Sequence, residues 1–288
     1  MVVAFQGEPG AYSEAAAQRF APNASVLPCP SFEDVFRAVE SGKAALGVLP
    51  IENSIGGTIH RNYDLLLEHA LQIVGDLELR VVHSLIALPG TAIDQIKTIY
   101  SHPQALAQCD KYLRSLPGVE VVATYDTAGS AKLIKDRQLA GAGAIASERA
   151  AAVFGLAILE SGIQDFADNI TRFLVVAASA SPRPTPTNKT TVVFTLANEA
   201  GALFKALSVF ALRGIDLTKL ESRPIPGRPW EYLFYVDLAV GAEDARCDRA
   251  LTHLAEFAPM FRNLGSYAST LLPRSSPAAA AVAAGDPA

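Results

Sequence analysis

Ser179-Ala-Ser-Pro-Arg-Pro-Thr-Pro-Thr187 decides the plan of this chain. Three prolines in nine residues, with no large apolar side chain to anchor them, make a stiff surface connector rather than part of a core. A different rhythm of elements stands on each side. After it, the pattern predicts a strand over 190–196 and a helix over 202–213, whose Leu203, Leu207, Phe210 and Ala211 share one face. Gly214 stops that helix as a C′ glycine does. Strands follow over 215–221 and 232–240, the latter alternating Tyr232, Phe234, Val236, Leu238 and Val240. A helix over 247–257 and a strand over 261–267 complete βαββαβ in about 80 residues, the ferredoxin-like plan. The Pro/Ala/Ser-rich stretch 271–288 is expected to be disordered.

Before the connector, short apolar runs alternate with helical patterns. Strands are predicted over 2–5, 45–49, 85–88, 98–100, 119–123, 142–146 and 170–177, and helices over 13–20, 104–116 and 127–137. Ser31-Phe-Glu-Asp34 starts another helix with acids in its first turn. This β-α-β rhythm implies a largely parallel sheet covered by helices. Two such clusters suggest two lobes with a cleft between them: lobe 1 about 1–76 and 168–178, lobe 2 about 77–167. The chain crosses near 77–82 and again near 163–169. The whole is α/β, with domains at 1–178 and 188–270 joined by the connector 179–187.

Composition excludes several functions. The chain has 288 residues, half of them hydrophobic, with a net charge of −5 and no Lys/Arg cluster. Nucleic acids and anionic membranes are therefore poor partners. No apolar run reaches the roughly 18 residues of a membrane span. Cys29, Cys109 and Cys247 are far apart and odd in number, as expected of thiols in a reducing cytoplasm. Neither a targeting segment nor a metal-ligand spacing is visible.

Four polar motifs follow predicted strands. Gly7-Glu-Pro-Gly10-Ala-Tyr-Ser13 opens a helix, and its glycines let the backbone approach a ligand while unpaired N–H groups face an anion. A plain strand-to-helix turn explains the same residues. Pro50-Ile-Glu-Asn-Ser54-Ile-Gly-Gly-Thr58 puts Asn53 and Ser54 where an open α/β sheet holds its ligands, or where one of them caps a helix. In Ser101-His-Pro-Gln-Ala-Leu-Ala-Gln108, Ser101 or His102 caps a helix with Pro103 at N1, and Gln104 faces the cleft from its first turn. Asn169-Ile-Thr-Arg-Phe173 enters the last strand from the hinge, with Arg172 a bidentate partner for a carboxylate or simply a surface arginine. Together they describe a site for a small, oxygen-rich anion.

These four motifs, in this order and spacing, resemble prephenate dehydratases. Gly201-Ala-Leu203 and Glu221-Ser-Arg-Pro224 resemble the ACT regulatory domain of the same family. The resemblance covers residues 2 to about 269. It implies a two-lobed, type II periplasmic-binding-protein-like catalytic domain followed by a ferredoxin-like ACT domain. It implies decarboxylative dehydration of prephenate to phenylpyruvate in phenylalanine biosynthesis, without cofactor or metal. Thr171 is then the catalytic hydroxyl, as proton donor or hydrogen-bond organiser. Arg172 orients a carboxylate or Thr171, and Phe173 packs on the ring. Tyr12, Ser13, Asn53, Ser54, Gly56, Ser101 and Gln104 complete the substrate wall. Asn198, Gly201, Ala202, Leu203, Leu217, Glu221, Ser222, Arg223 and Pro224 bind L-phenylalanine as feedback effector, in a homodimer or homotetramer.

The pattern departs from bacterial members in Ala11-Tyr12-Ser13, which replaces a common Thr-Phe-Ser. His60-Arg-Asn-Tyr-Asp64, Phe204-Lys205 and Leu264-Gly-Ser-Tyr267 resemble plant arogenate dehydratases instead. Arogenate carries an amine where prephenate carries a keto group, so it is the alternative substrate. A plant-like reading sits less well with Gly201-Ala-Leu203 and with the short segment 224–231. A non-catalytic two-lobed regulator is the rival from another class.

Overall fold

The computed structural model of the chain describes residues 1–178, 186–225 and 227–271. Most of the expected connector (179–185) and the stretch 272–288 lie outside the described residues. The chain divides into two compact units, Met1–Leu71 with Leu77–Ser179, and Gln72–Asp76 with Ala180–Ala288.

In the first unit, β1 (Val2–Gln6), α1 (Tyr12–Phe20), β2 (Ser25–Cys29), α2 (Phe32–Glu40), β3 (Leu46–Asn53), β4 (Gly57–Thr58) and α3 (His60–Glu68) come first, followed by β5 (Leu71–Arg80), whose residues Gln72–Asp76 count with the second unit. A second run holds β6 (Ser84–Ala87), β7 (Thr98–Ser101), α4 (Pro103–Gln108), α5 (Asp110–Arg114), β8 (Glu120–Ala123), α6 (Thr127–Arg137), β9 (Ala142–Ala146), α7 (Glu148–Phe154) and β10 (Ala157–Ser161). The chain then returns in β11 (Ile170–Ala178). One sheet has the order β2-β1-β3-β11-β5, with β4 on β3, and the other β10-β6-β9-β7-β8. The chain therefore changes sheets between 80 and 84 and again between 161 and 170.

Neither sheet is largely parallel, contrary to the β-α-β expectation. β1 runs parallel to β2 and β3, but β11 is antiparallel to β3. β7 is parallel to β8 and β9, whereas β6 runs antiparallel to both of its neighbours, β9 and β10. The reason is the double crossing: strands returning between sheets arrive from the opposite end. The helix expected over 104–116 breaks at Cys109 (φ −119°, ψ 24°), whose N–H bonds Leu106 O at 3.1 Å. That tight turn lets the buried thiol join a core of Leu85, Ile96, Ile99, Ala105, Ile145 and Ile163. Strands β2, β5 and β10 and helices α3 and α7 were not expected. β2 carries Pro28 and lies at a sheet edge, where a missing N–H is tolerated.

The second unit contains β12 (Lys189–Thr195), α8 (Ala202–Ala211), β13 (Leu217–Ile225), β14 (Arg228–Leu238), α9 (Ala245–Phe257) and β15 (Met260–Tyr267). Its antiparallel sheet has the order β13-β14-β12-β15. Val192, Phe194, Val236 and Leu238 of the sheet pack with Ala206, Phe210, Ala250 and Leu254 of the helices. Each such large side chain contributes about 1.5–3 kcal/mol by leaving water. Among the described residues, no helix is long and apolar enough to cross a membrane.

Candidate active site

The site grows from the pairing of β3 with β11. Antiparallel register sets Thr171 opposite Asn53. Asn53 Nδ2 donates to Thr171 Oγ1 at 3.0 Å and to Asn169 Oδ1 at 2.7 Å. Asn53 Oδ1 accepts from the amides of Ile55 (3.1 Å) and Gly56 (2.7 Å), closing the turn after β3. It also accepts from Gln108 Nε2 at 3.2 Å. Gln108 Oε1 in turn accepts from Asn169 Nδ2 at 2.9 Å and lies 2.9 Å from His83 Nε2. An amide oxygen only accepts, so His83 carries its proton on Nε2. The Tyr12 hydroxyl donates to Val82 O at 2.6 Å and lies 3.1 Å from His83 Nδ1. Tyr12, His83, Gln108, Asn53, Asn169 and Thr171 thus form one buried polar chain. Burial pushes the His83 pKa down, against the Gln108 bond that raises it, which keeps the imidazole neutral. Burial, with smaller contributions from Cys109 and Glu148, pushes the Tyr12 phenol far above its ordinary range.

This chain of groups floors a cavity of about 360 Å³, a volume suited to a small organic acid. Tyr12, Ser13, Asn53, Gln104, Thr171 and Phe173 line it, as the motifs suggest. Gln6, Phe32, His83, His102, Gln108, Tyr125, Asp126 and Thr127 also line it. Ser13, Gln104 and Thr127 sit in the first turns of α1, α4 and α6; the Gln104 amide donates to His102 Nδ1 at 3.2 Å, whereas no side chain caps α1. At the α6 end, Asp126 caps the helix by accepting from Ala128 N at 3.2 Å, and it accepts from Glu8 N at 3.1 Å.

The loop between β1 and α1 is held by a buried carboxylate. Glu14 is 4% exposed. It accepts from Gly10 N at 2.6 Å and from Arg149 Nε and Nη2 at 3.0 and 2.8 Å. Burial raises the Glu14 pKa, but the bonds from Arg149 and Gly10 more than offset this and leave it lowered. Gly10 adopts φ 92°, and a Cβ there would meet Ala150 Cα at 2.6 Å. Only glycine fits so close to α7.

Four expected wall residues take other roles. Arg172 is not among the lining residues, although Thr171 and Phe173 are; it pairs in register with Glu52, beside a register shift between Arg172 and Phe173. Ser101 is fully buried and donates to Ile145 O at 2.6 Å, tying β7 to β9. Ser54 braces the start of β11, donating to Asp168 O at 2.7 Å and accepting from Ile170 N at 2.9 Å. Gly56 has its side-chain space filled by Gln104, whose Nε2 lies 1.7 Å from where a Cβ would stand. Sequence reasoning passed over His83, Gln108, Asn169 and Asp126. Gln108 closes a quoted motif and Asn169 opens another, so position within the motifs was the signal available.

In the second unit a smaller cavity, about 140 Å³, is lined by Asn198, Ala202 and Leu203 with Leu196, Glu199, Trp230, Tyr232 and Phe234. Gly201 caps α8 at φ 82° beside it. Leu217, Glu221, Ser222, Arg223 and Pro224 do not line this cavity. They lie on β13, an edge strand separated from β12 by β14. Among the described residues no cluster of three or more His, Cys, Asp or Glu is placed to hold a metal ion.

Comparison with known proteins agrees with this arrangement. The family described as prephenate dehydratase matches residues 3–181. The Arabidopsis thaliana protein named arogenate dehydratase/prephenate dehydratase 2, chloroplastic, is 50% identical over 275 residues, covering 92% of this chain and 72% of the relative. The Arthrobacter aurescens prephenate dehydratase solved with L-Phe is 33% identical at a TM-score of 0.84, covering 98% of this chain and 97% of that one. A structure described as GqqA, a novel type of quorum quenching acylase, is 36% identical at a TM-score of 0.85, covering 94% of this chain and 98% of that one. The matched segment contains the whole cavity wall, and the chain belongs to the prephenate dehydratase family.

Proposed function

We propose that the cavity converts prephenate to phenylpyruvate. The observation that carries this reading is Thr171, held by Asn53 at 3.0 Å in the floor of a cavity of about 360 Å³. In the reaction the bond from ring carbon to carboxylate breaks and its electron pair enters the ring. The double bonds shift, and the hydroxyl on the opposite ring carbon leaves as water, taking its proton from solvent while the Thr171 hydroxyl hydrogen-bonds the departing oxygen. Carbon dioxide and an aromatic ring result, and the gain of aromaticity drives the step. Thr171 Oγ accepts from Asn53, so its own proton is left to point at the departing oxygen. A threonine is too weak an acid to be matched to this proton transfer alone. Its hydrogen bond instead stabilises charge as it develops on the leaving group. Phe173 packs against the ring, and the amides opening α1, which no side chain caps, receive a carboxylate.

The second unit binds L-phenylalanine in the cavity beside Leu203, supported by the L-Phe complex of the Arthrobacter relative. The unit assembles as a homodimer or homotetramer. Its exposed Phe204, Leu212, Leu220, Trp230 and Tyr232, together with the edge strand β13, support self-association. Three free, buried cysteines support a cytoplasmic enzyme, whereas the Arabidopsis relative is named chloroplastic.

The test is turnover of prephenate by the full chain, followed by phenylpyruvate release. Thr171→Ala should lower kcat by about 10²–10³, the usual cost of one preorganised donor. Near-normal turnover in that variant, with circular dichroism unchanged, would refute the role.

A further inference from the structure

The cavity carries a charge that a dicarboxylate substrate does not explain. Among the described residues lining it, Asp126 is the single Asp or Glu, and no Lys or Arg stands with it. Its bonds run to neutral groups: Glu8 N at 3.1 Å on Oδ2, and Ala128 N at 3.2 Å and Thr127 Oγ1 at 3.5 Å on Oδ1. No described Lys, Arg or His pairs with it, whereas the neighbouring Glu8 is paired with Lys132 at 3.1 Å and Glu14 with Arg149 at 2.8 Å. The two amide bonds hold the group in place at the start of α6. Oδ2, with one bond, keeps a further acceptor site. Backbone packing encloses the group, since a Cβ on Gly7 would come within 3.1 Å of Oδ2. Asp126 therefore presents an uncompensated negative charge in a site that must take an anion.

The substrate's geometry gives this charge a purpose. The hydroxyl leaves from one ring carbon, and the three-carbon side chain hangs from the carbon across the ring. With the hydroxyl at Thr171, that side chain lies at the far end of the cavity. Asp126 belongs to the start of α6 and shares no bond with the Thr171–Asn53–Gln108 cluster. A keto-acid side chain offers it only a carbonyl and a carboxylate, both repelled. A side chain bearing an α-ammonium group offers a cation and three N–H donors.

We propose that Asp126 is the residue that decides specificity at this end of the cavity. It accepts a hydrogen bond from the substrate's α-ammonium group and so favours arogenate, the aminated counterpart of prephenate. The proposal rests on reading the cavity as a dehydratase site.

The test is kcat and KM of the full chain for prephenate and for arogenate, in wild type, Asp126→Ser and Asp126→Asn. Serine keeps the acceptor that caps α6 while removing the charge. The expected result is that kcat/KM for arogenate falls about tenfold or more relative to that for prephenate, mostly through KM, because a bond to a charged group is lost. Equal losses on both substrates in both variants would overturn the proposal and leave Asp126 as a helix cap. An unchanged ratio would overturn it as well. Failure of the wild type on both substrates would refute the dehydratase reading itself, a distinct outcome from an unchanged ratio.

Discussion

His83 shows how one buried side chain orders a site. Its Nε2–H goes to Gln108, and Gln108 holds both Asn53 and Asn169, so the imidazole sits three hydrogen bonds away from Thr171 through two amides that do not titrate. Burial is the main cause of its lowered pKa. The unfolded chain therefore binds a proton that the folded chain refuses. Stability is fully present above the unfolded value of about 6.5 and is lost as pH falls from there through the folded pKa, at up to about 1.4 kcal/mol per pH unit. His83→Gln removes this titration. Urea denaturation across pH should show a shallower acid-side decline in the variant than in the wild type. Parallel curves would show that His83 is not the titrating group.

At the scale of elements, the loop between β1 and α1 depends on a close backbone approach. Gly10 lies against α7 with no room for a methyl group and with φ in the left-handed region. Ser147 Oγ donates to Gly10 O at 2.7 Å, and the Glu14 carboxylate accepts from Gly10 N. Gly10→Ala must both strain the backbone and displace α7, at a cost of about 1–3 kcal/mol. Because Tyr12 and Ser13 follow directly, KM should rise with the stability loss. The measurements are a urea midpoint and prephenate kinetics, and an unchanged midpoint would contradict the packing argument. The broken helix at Cys109 belongs to this scale too. It brings Gln108 to the end of α4 and so to Asn53, which an unbroken helix over 104–116 does not explain.

For the whole molecule, regulation requires that phenylalanine bind one global state better than another. The cavity beside Leu203 is the place to interrupt it. Leu203→Arg fills that cavity with a long charged side chain. The concentration of L-phenylalanine giving half-inhibition should rise at least about tenfold, equivalent to about 1.4 kcal/mol of binding. Calorimetric titration with L-phenylalanine checks the same change directly. Inhibition at the wild-type concentration would place the effector elsewhere.

Much of this was legible along the chain. The alternation of 190–196 and 232–240 and the Gly214 stop specify the βαββαβ unit locally, since each depends on residues within one or two turns. The helix between them, however, buries Ala206, Val209 and Phe210 rather than the expected face of Leu203, Leu207, Phe210 and Ala211, of which Leu203 and Ala211 are exposed. The polar motifs after strand ends likewise name Tyr12, Ser13, Asn53, Gln104 and Thr171. What the tertiary structure alone decided is which side chains face the cavity and which brace it. Thr171 and Phe173 line the cavity and Arg172, between them, does not. Ser101 and Ser54 spend their hydroxyls on Ile145 and Asp168, and His83 and Asp126 enter the wall from segments that carried no motif. These outcomes depend on strand register and on the return of β11 antiparallel to β3, pairings between residues more than a hundred positions apart that no local pattern encodes.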